Sequence, residues 1–229
     1  MEEDRSVQLV SMARTTQNKI YRQGVAGAKE LEEGFPGKAE ELFRYEGLVL
    51  VNVEASYFTP AQLELIRLFV DRRGGGLLFL GGRSSLADGG YGSSPLAELL
   101  PVTLPDRKNT FHRDPAKAVL TAAGRDSLIC RLVEPAAKNQ ERWDKLPLIA
   151  DYQETGSPKP AALVLAESEV PGRGRYPLLV TQKYGLGRTA VFATGSSWKW
   201  RMLQEHTDAS FQTFWQQLLR YLVSDAARP

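Results

Sequence analysis

Two nearly uninterrupted apolar runs, joined by a helix with its own start and stop signals, constrain this chain more than any other feature. Gly47–Val53 (GLVLVNV) is rich in Val and Leu and lacks the alternation of a half-exposed strand, so it reads as a strand buried on both faces. Thr59-Pro60-Ala61-Gln62 then opens a helix. Thr59 is the N-cap, Pro60 takes the first helical position where its missing N–H costs nothing, and Gln62 completes a capping box. Leu63, Ile66, Leu68, Phe69 and Val70 follow at helical spacing, and Gly74-Gly75-Gly76 ends the helix. Leu77–Leu80 (LLFL) is a second buried-type strand that runs straight into a glycine-rich loop. Strand, helix and strand in this order predict parallel strands in an open α/β sheet.

The remaining segments extend that unit. Ser6–Met12 (SVQLVSM) alternates apolar and polar residues and reads as a strand, followed by a polar, glycine-containing run to Pro36 and a short helix over Lys38–Phe43. From about Pro101 to Pro160 long apolar runs are scarce, prolines are frequent, and Val119-Leu120 is the one short strand candidate. This stretch, 101–160, reads as an insertion or extension on the sheet within a single domain spanning 1–229. The apolar pattern returns at Ala161–Ala166, and Tyr176–Tyr184 and Arg188–Thr194 flank Gly185-Leu186-Gly187 as a hairpin. Phe211, Phe214, Trp215, Leu218, Leu219, Leu222 and Val223 define a final amphipathic helix, with Thr207 or Asp208 available as its cap.

Composition excludes several function classes. With 29 basic and 27 acidic residues, the net charge of +2 gives no clustered basic footprint for nucleic acid. A single cysteine, Cys130, rules out an intrachain disulfide framework, and with only His112 and His206 no metal-ligand spacing exists, so no metal is expected. No run approaches the ~18 apolar residues of a membrane-spanning helix, and the acidic start Met1-Glu2-Glu3-Asp4 is unlike a signal peptide.

In open α/β sheets, ligands bind beyond the carboxyl ends of the parallel strands. Three loops qualify: Glu54-Ala55-Ser56, Gly81-Gly82-Arg83-Ser84-Ser85 with Asp88–Gly92, and Gly195–Arg201. Small residues there let a ligand approach backbone N–H groups, while Arg83 and Arg201 can fork onto a carboxylate or phosphate. The candidate ligand-binding residues are Glu54, Ser56, Gly82, Arg83, Ser84, Ser196, Ser197 and Arg201. Plainer roles compete at each position. Glycine-rich turns are usually only turns, and this one matches neither GxGxxG nor GxxxxGK[ST], so no cofactor is expected. Ser84 and Ser85 serve as nucleophiles only beside a base and otherwise cap local structure. Trp198-Lys199-Trp200 suits packing at an edge, Cys130 sits among apolar residues as inert core, and His206 reads as a surface residue.

The strings Phe43–Leu50, Val53–Thr59 and Arg73–Arg83, with Gly89-Gly90-Tyr91, Ser197–Arg201 and Phe214-Trp215, resemble the glutamine amidotransferase-like domain of bacterial proteins over nearly the whole chain. The resemblance implies a class I glutamine amidotransferase-like, flavodoxin-like fold, with an open, mostly parallel sheet, helices on both faces and an insertion after the central strands. It also implies a soluble domain of a larger, often membrane-anchored protein. Working members carry a cysteine within Gly-x-Cys-x-Gly and a downstream His-x-Glu. The resemblance puts the nucleophile elbow in Gly81-Gly82-Arg83-Ser84-Ser85, which implies Arg83 at the nucleophile position, and Ala193-Thr194-Gly195-Ser196-Ser197 has no His-x-Glu. The expected function is therefore a non-catalytic module binding a protein partner or a small anion, without nucleic acid. The rival is a hydrolase or transferase using Ser84 or Ser85 with Glu54, and a pure scaffold is the third reading. Such domains begin with a strand and helix upstream of Ser6–Met12, so the chain reads as a fragment that self-associates through an open sheet edge.

Overall fold

The computed structural model describes residues 7–16 and 19–226. In chain order the elements are β1 (Ser11–Thr16), β2 (Lys19–Gln23), α1 (Ala39–Leu42), β3 (Gly47–Leu50), α2 (Pro60–Asp71) and β4 (Gly76–Leu80). Then follow β5 (Val102–Thr103), β6 (Phe111–His112), β7 (Lys117–Leu120), α3 (Ala122–Asp126), α4 (Ala136–Asp144), β8 (Tyr152–Gln153) and β9 (Ser157–Pro158). The chain closes with β10 (Leu163–Val170), β11 (Gly174–Tyr184), β12 (Gly187–Phe192), α5 (Lys199–Met202) and α6 (Ser210–Val223).

Six strands form the main sheet in the order β3-β4-β12-β11-β10-β7. The β3–β4 and β4–β12 pairs are parallel, as the apolar runs predict, whereas β12–β11, β11–β10 and β10–β7 are antiparallel. The expected mostly parallel sheet thus holds for one half. In the other half β10–β11 and β11–β12 are hairpins, which need no crossover helix, and β7 joins β10 through the long connection that carries α3 and α4. The tightest is β11–β12, where Tyr184 pairs with Gly187 and Gly185 adopts φ +55° between them.

Two glycines show how closely the helices approach the start of β4. A methyl group on Gly75, just before the strand, would strike the Phe69 ring of α2 at 2.3 Å, and one on Gly76 would strike the Leu222 carbonyl of α6 at 2.4 Å. At these two positions glycine admits an α2 side chain and the α6 backbone. Leu63, Ile66, Phe69 and Val70 of α2 and Phe214, Leu218 and Leu222 of α6 are buried in one core with Leu77, Leu78, Phe79, Val191 and Phe192 of the sheet.

The capping box forms as read: the Gln62 N–H donates to Thr59 Oγ1 (3.2 Å) and the Thr59 N–H to Gln62 Oε1 (3.0 Å). Gln62 Nε2 also donates to the Phe35 carbonyl (2.8 Å), so the box anchors the preceding loop. Thr59→Ala is expected to lower stability by about 1 kcal/mol, the usual cost of a lost N-cap; urea denaturation showing no change would leave the box without energetic weight. At α6 the cap is displaced by one residue. Ala209 holds the N-cap position, while the Asp208 carboxylate accepts the Ser210 N–H at 2.8 Å.

One reading changes. The strand expected at Ser6–Met12 does not form there: Val7–Val10 is not in a strand, and β1 begins five residues later than expected, at Ser11, forming a two-stranded ribbon with β2 outside the main sheet; Ser6 is outside the described residues. β1 is almost wholly solvent-exposed, so no buried face fixes its position. The region 101–160 extends the main sheet. Its strand β7 closes the far end of the main sheet against β10, and Ile129, Cys130, Leu132, Trp143, Leu146, Ile149 and Tyr152 join the common core. β3 ends the sheet on the other side, pairing only with β4 among the described residues. No helix of the described residues is long and apolar enough to cross a membrane.

Candidate functional site

Parallel register brings the carboxyl ends of β3, β4 and β12 to one rim, since Leu50, Phe79 and Val191 lie level across the three strands. The loops that follow interlock there. Asn52, at φ +47°, turns its Oδ1 to accept the Ser84 N–H at 3.0 Å. A methyl group on Gly195 would meet the Gly81 carbonyl at 3.2 Å, so the β4 and β12 loops touch through their backbones. The Glu54-Ala55-Ser56 loop is tied to the glycine-rich segment by the Ala55 N–H to Gly89 carbonyl bond (2.8 Å) and the Tyr91 hydroxyl to Val53 carbonyl bond (2.8 Å).

Asp88 and Gln153 organise what lies above this rim. The Asp88 carboxylate accepts from the Asn109 N–H (2.6 Å), the Thr110 N–H (2.9 Å) and hydroxyl (2.5 Å), the Phe111 N–H (3.0 Å) and Gln153 Nε2 (3.2 Å). Burial pushes its pKa up, but the Thr110 hydroxyl, the Asn109 and Thr110 amides and Gln153 outweigh that and hold it below the usual carboxylate range. Gln153, itself buried, accepts the Gly82 N–H at 3.1 Å and donates to the Ser85 carbonyl at 2.9 Å. One knot therefore joins the β4 loop to the segment 109–111. Between them opens a cavity of about 280 Å³ lined by Arg83, Asp88, Asn109, Phe111 and Arg113.

The residues expected at the site take distinct places. Arg83 is exposed at the cavity wall, and Gly82 lies buried behind it. Glu54 is exposed, with Ser56 Oγ at 3.5 Å, and stands near enough to Tyr91 that burial, then the Glu54 charge, raise the Tyr91 phenol above its ordinary range. The Ser85 hydroxyl is buried without a hydrogen-bond partner among the described residues. Ser196 is buried too; its Oγ accepts the Ala150 N–H (2.8 Å) and the Asp151 N–H (3.2 Å) and lies 2.9 Å from Thr194 Oγ1. It serves the scaffold, as does buried Ser197, whose carbonyl accepts the Trp200 N–H. Arg201 sits exposed on α5 and does not line the cavity. Of the tryptophan pair, Trp200 is core, with Nε1 donating to the Pro147 carbonyl at 3.0 Å, and Trp198 is exposed.

Sequence reading missed Phe111, Arg113 and Gln153 because no local pattern in 101–160 marks them. It also left His112 without a partner. His112 Nε2 lies 2.6 Å from Glu154 Oε1, and its ring stacks on Tyr152 at 4.9 Å. In the β6–β8 ladder Phe111 faces Gln153 and His112 faces Tyr152. Neighbours along a strand point to opposite sides. His112 is thus turned away from the side where Phe111 and Gln153 meet the β4 loop. Cys130 lies in the core, and burial pushes its thiol up to about 12. A second cavity, about 440 Å³, is lined by Arg142, Lys145, Leu203, Gln204, Glu205, Thr207 and Asp208 and is bridged by the Arg142–Asp208 ion pair.

A family model described as "Putative glutamine amidotransferase" matches residues 7–224. No curated protein matches the chain. Among solved structures it is similar to the cytoplasmic protein STM3548 from Salmonella typhimurium, at 20% identity and TM-score 0.65 over 93% of this chain and 94% of that one. It is likewise similar to the cytoplasmic protein STM1381 from Salmonella typhimurium LT2, at 24% identity and TM-score 0.65 over 93% and 95% of the two chains. At such identities these likenesses establish the fold.

Proposed function

The chain belongs to the putative glutamine amidotransferase family, and from that premise we propose a member that binds a small anionic ligand at the rim instead of hydrolysing glutamine. The observation carrying this reading is Arg83 exposed in the loop after β4 and open to the cavity, where the resemblance leads one to expect a nucleophile. A guanidinium does not attack an amide, but it recognises carboxylate and phosphate oxygens. Gly82, Arg83 and Ser84 form the centre of the proposed surface, with Glu54 and Ser56 on the adjoining loop and Ser196 and Ser197 supporting it from behind.

The neighbouring chemistry supports the same reading. A serine nucleophile needs a base within hydrogen-bond reach. Ser85 Oγ is buried and unpartnered, Ser84 is held through its backbone by Asn52, and His112 is engaged with Glu154 on the other side of its strand. The single cysteine is a core residue with its thiol protonated at neutral pH. Purified protein incubated with glutamine is expected to release no ammonia above a buffer control. Release abolished by Ser84→Ala would overturn the proposal in favour of a serine enzyme.

A further inference from the structure

We propose that Arg83 and Arg113 act together as a two-point clamp for a compact organic dianion, a phosphate monoester or a dicarboxylate. This rests on the anion-binding reading above and extends it to a residue contributed by the 101–160 region. Several arginines are already engaged by carboxylates: Arg67 with Glu64, Arg107 with Glu154, Arg142 with Asp208, Arg175 with Glu169 and Arg188 with Asp225. Arg83 and Arg113 have no ion pair among the described residues, yet both line the 280 Å³ cavity.

Asp88, the one carboxylate in that lining, offsets one of their two charges but forms an ion pair with neither. Both its oxygens are taken by the Asn109, Thr110, Phe111 and Gln153 donors. Lys108 adds a further positive charge nearby, with Nζ on the Asp88 carbonyl at 2.7 Å. The wall therefore carries an excess of positive charge with open guanidinium forks, each able to grip two oxygens of one carboxylate or phosphoryl group.

The roots of both arginines are fixed by one knot. Arg83 stands between Gly82, held by Gln153, and Ser84, held by Asn52. Arg113 follows β6, whose Phe111 N–H is held by Asp88, which Gln153 also contacts. Such preorganisation reduces the ordering cost of binding. The cavity lies just under the ~300–1,000 Å³ span of ordinary ligand pockets, which favours a compact molecule over a nucleotide. Half-buried Phe111 offers an apolar wall for a flat organic body.

The test is isothermal titration calorimetry in roughly 0.15 M salt, where long-range attraction is largely screened, using phenyl phosphate, phthalate and the monoanion benzoate. At least one dianion is expected to bind at least tenfold more tightly than benzoate, and the tighter of the two identifies the phosphoryl or the dicarboxylate source. Arg83→Gln and Arg113→Gln should each weaken it by roughly tenfold or more, as loss of charge-assisted hydrogen bonds implies. Arg201→Gln, off the cavity, should leave it unchanged. Weakening by Arg83→Gln alone would overturn the clamp while leaving the anion-binding reading intact. Equal weakening by Arg201→Gln would overturn it by placing the ligand across the wider rim. Absence of binding by every probe would overturn both.

Discussion

Asp88→Ala is expected to destabilise the protein by roughly 3–5 kcal/mol. The estimate follows from the bonds removed: one side chain accepts from three backbone N–H groups, a hydroxyl and an amide. Thr110 is fully buried, so water does not readily replace its lost partner. Hydrogen bonds to a charged acceptor contribute ~1.5–3 kcal/mol each, and bonds sharing one group are not additive. Its pH dependence has a definite sign. Because the folded-state pKa is depressed, the charged carboxylate's contribution is fully present above the unfolded value near 3.8 and is lost as pH falls through the folded value. Asp88→Asn should therefore cost most at neutral pH, with the gap to wild type narrowing below about pH 4. Urea titrations at pH 7 and pH 3 check both statements. A constant gap would mean that the hydrogen bonds do not depend on the charge.

This knot also shows why the site was only half legible in the sequence. Arg83 and its glycine-rich loop announce themselves locally, since an apolar run ending in Gly-Gly marks a strand end wherever the strand lies in the sheet. The residues that complete the cavity arrive through contacts between distant segments. Gln153 reaches Gly82 across 71 positions and Asp88 across 65, and nothing around Tyr152-Gln153 signals it. The same distinction governs the fold. Capping box, hairpin and final helix are set by neighbours and form as expected. The β1 strand was misplaced because none of Val7–Val10 is buried, so the alternation there has no core face to serve. The antiparallel half carries its own sign in Glu167-Ser168-Glu169-Val170, which alternates where β4 does not.

Trp143→Ala is expected to cost about 3–5 kcal/mol, the range for deleting a large buried aromatic side chain, and the shape of the transition matters as much as its midpoint. Trp143 belongs to α4, inside the stretch that reads as an insertion, yet it is 1% exposed. Its ring meets Trp200 edge-on at 5.6 Å and Phe214 at 6.0 Å, while Phe214 in turn packs on Phe192 of β12 at 5.2 Å. The cluster joins 101–160 to the central sheet through α6. Its Nε1 donates to the Cys130 carbonyl at 2.7 Å, an acceptor that Asn139 Nδ2 also serves at 3.0 Å. Trp143→Phe, which keeps much of the packing and leaves that carbonyl its second donor, should cost less than half as much as the alanine variant. If 101–160 folds as part of one cooperative core, Trp143→Ala shifts a single transition, seen alike by tryptophan fluorescence and by far-ultraviolet circular dichroism. Two separated transitions, with only the earlier one moved by the substitution, would instead make the region an independently melting appendage. Arg113 and Gln153 would then be carried by a unit able to detach from Arg83, and the cavity between them would lose its rigid frame.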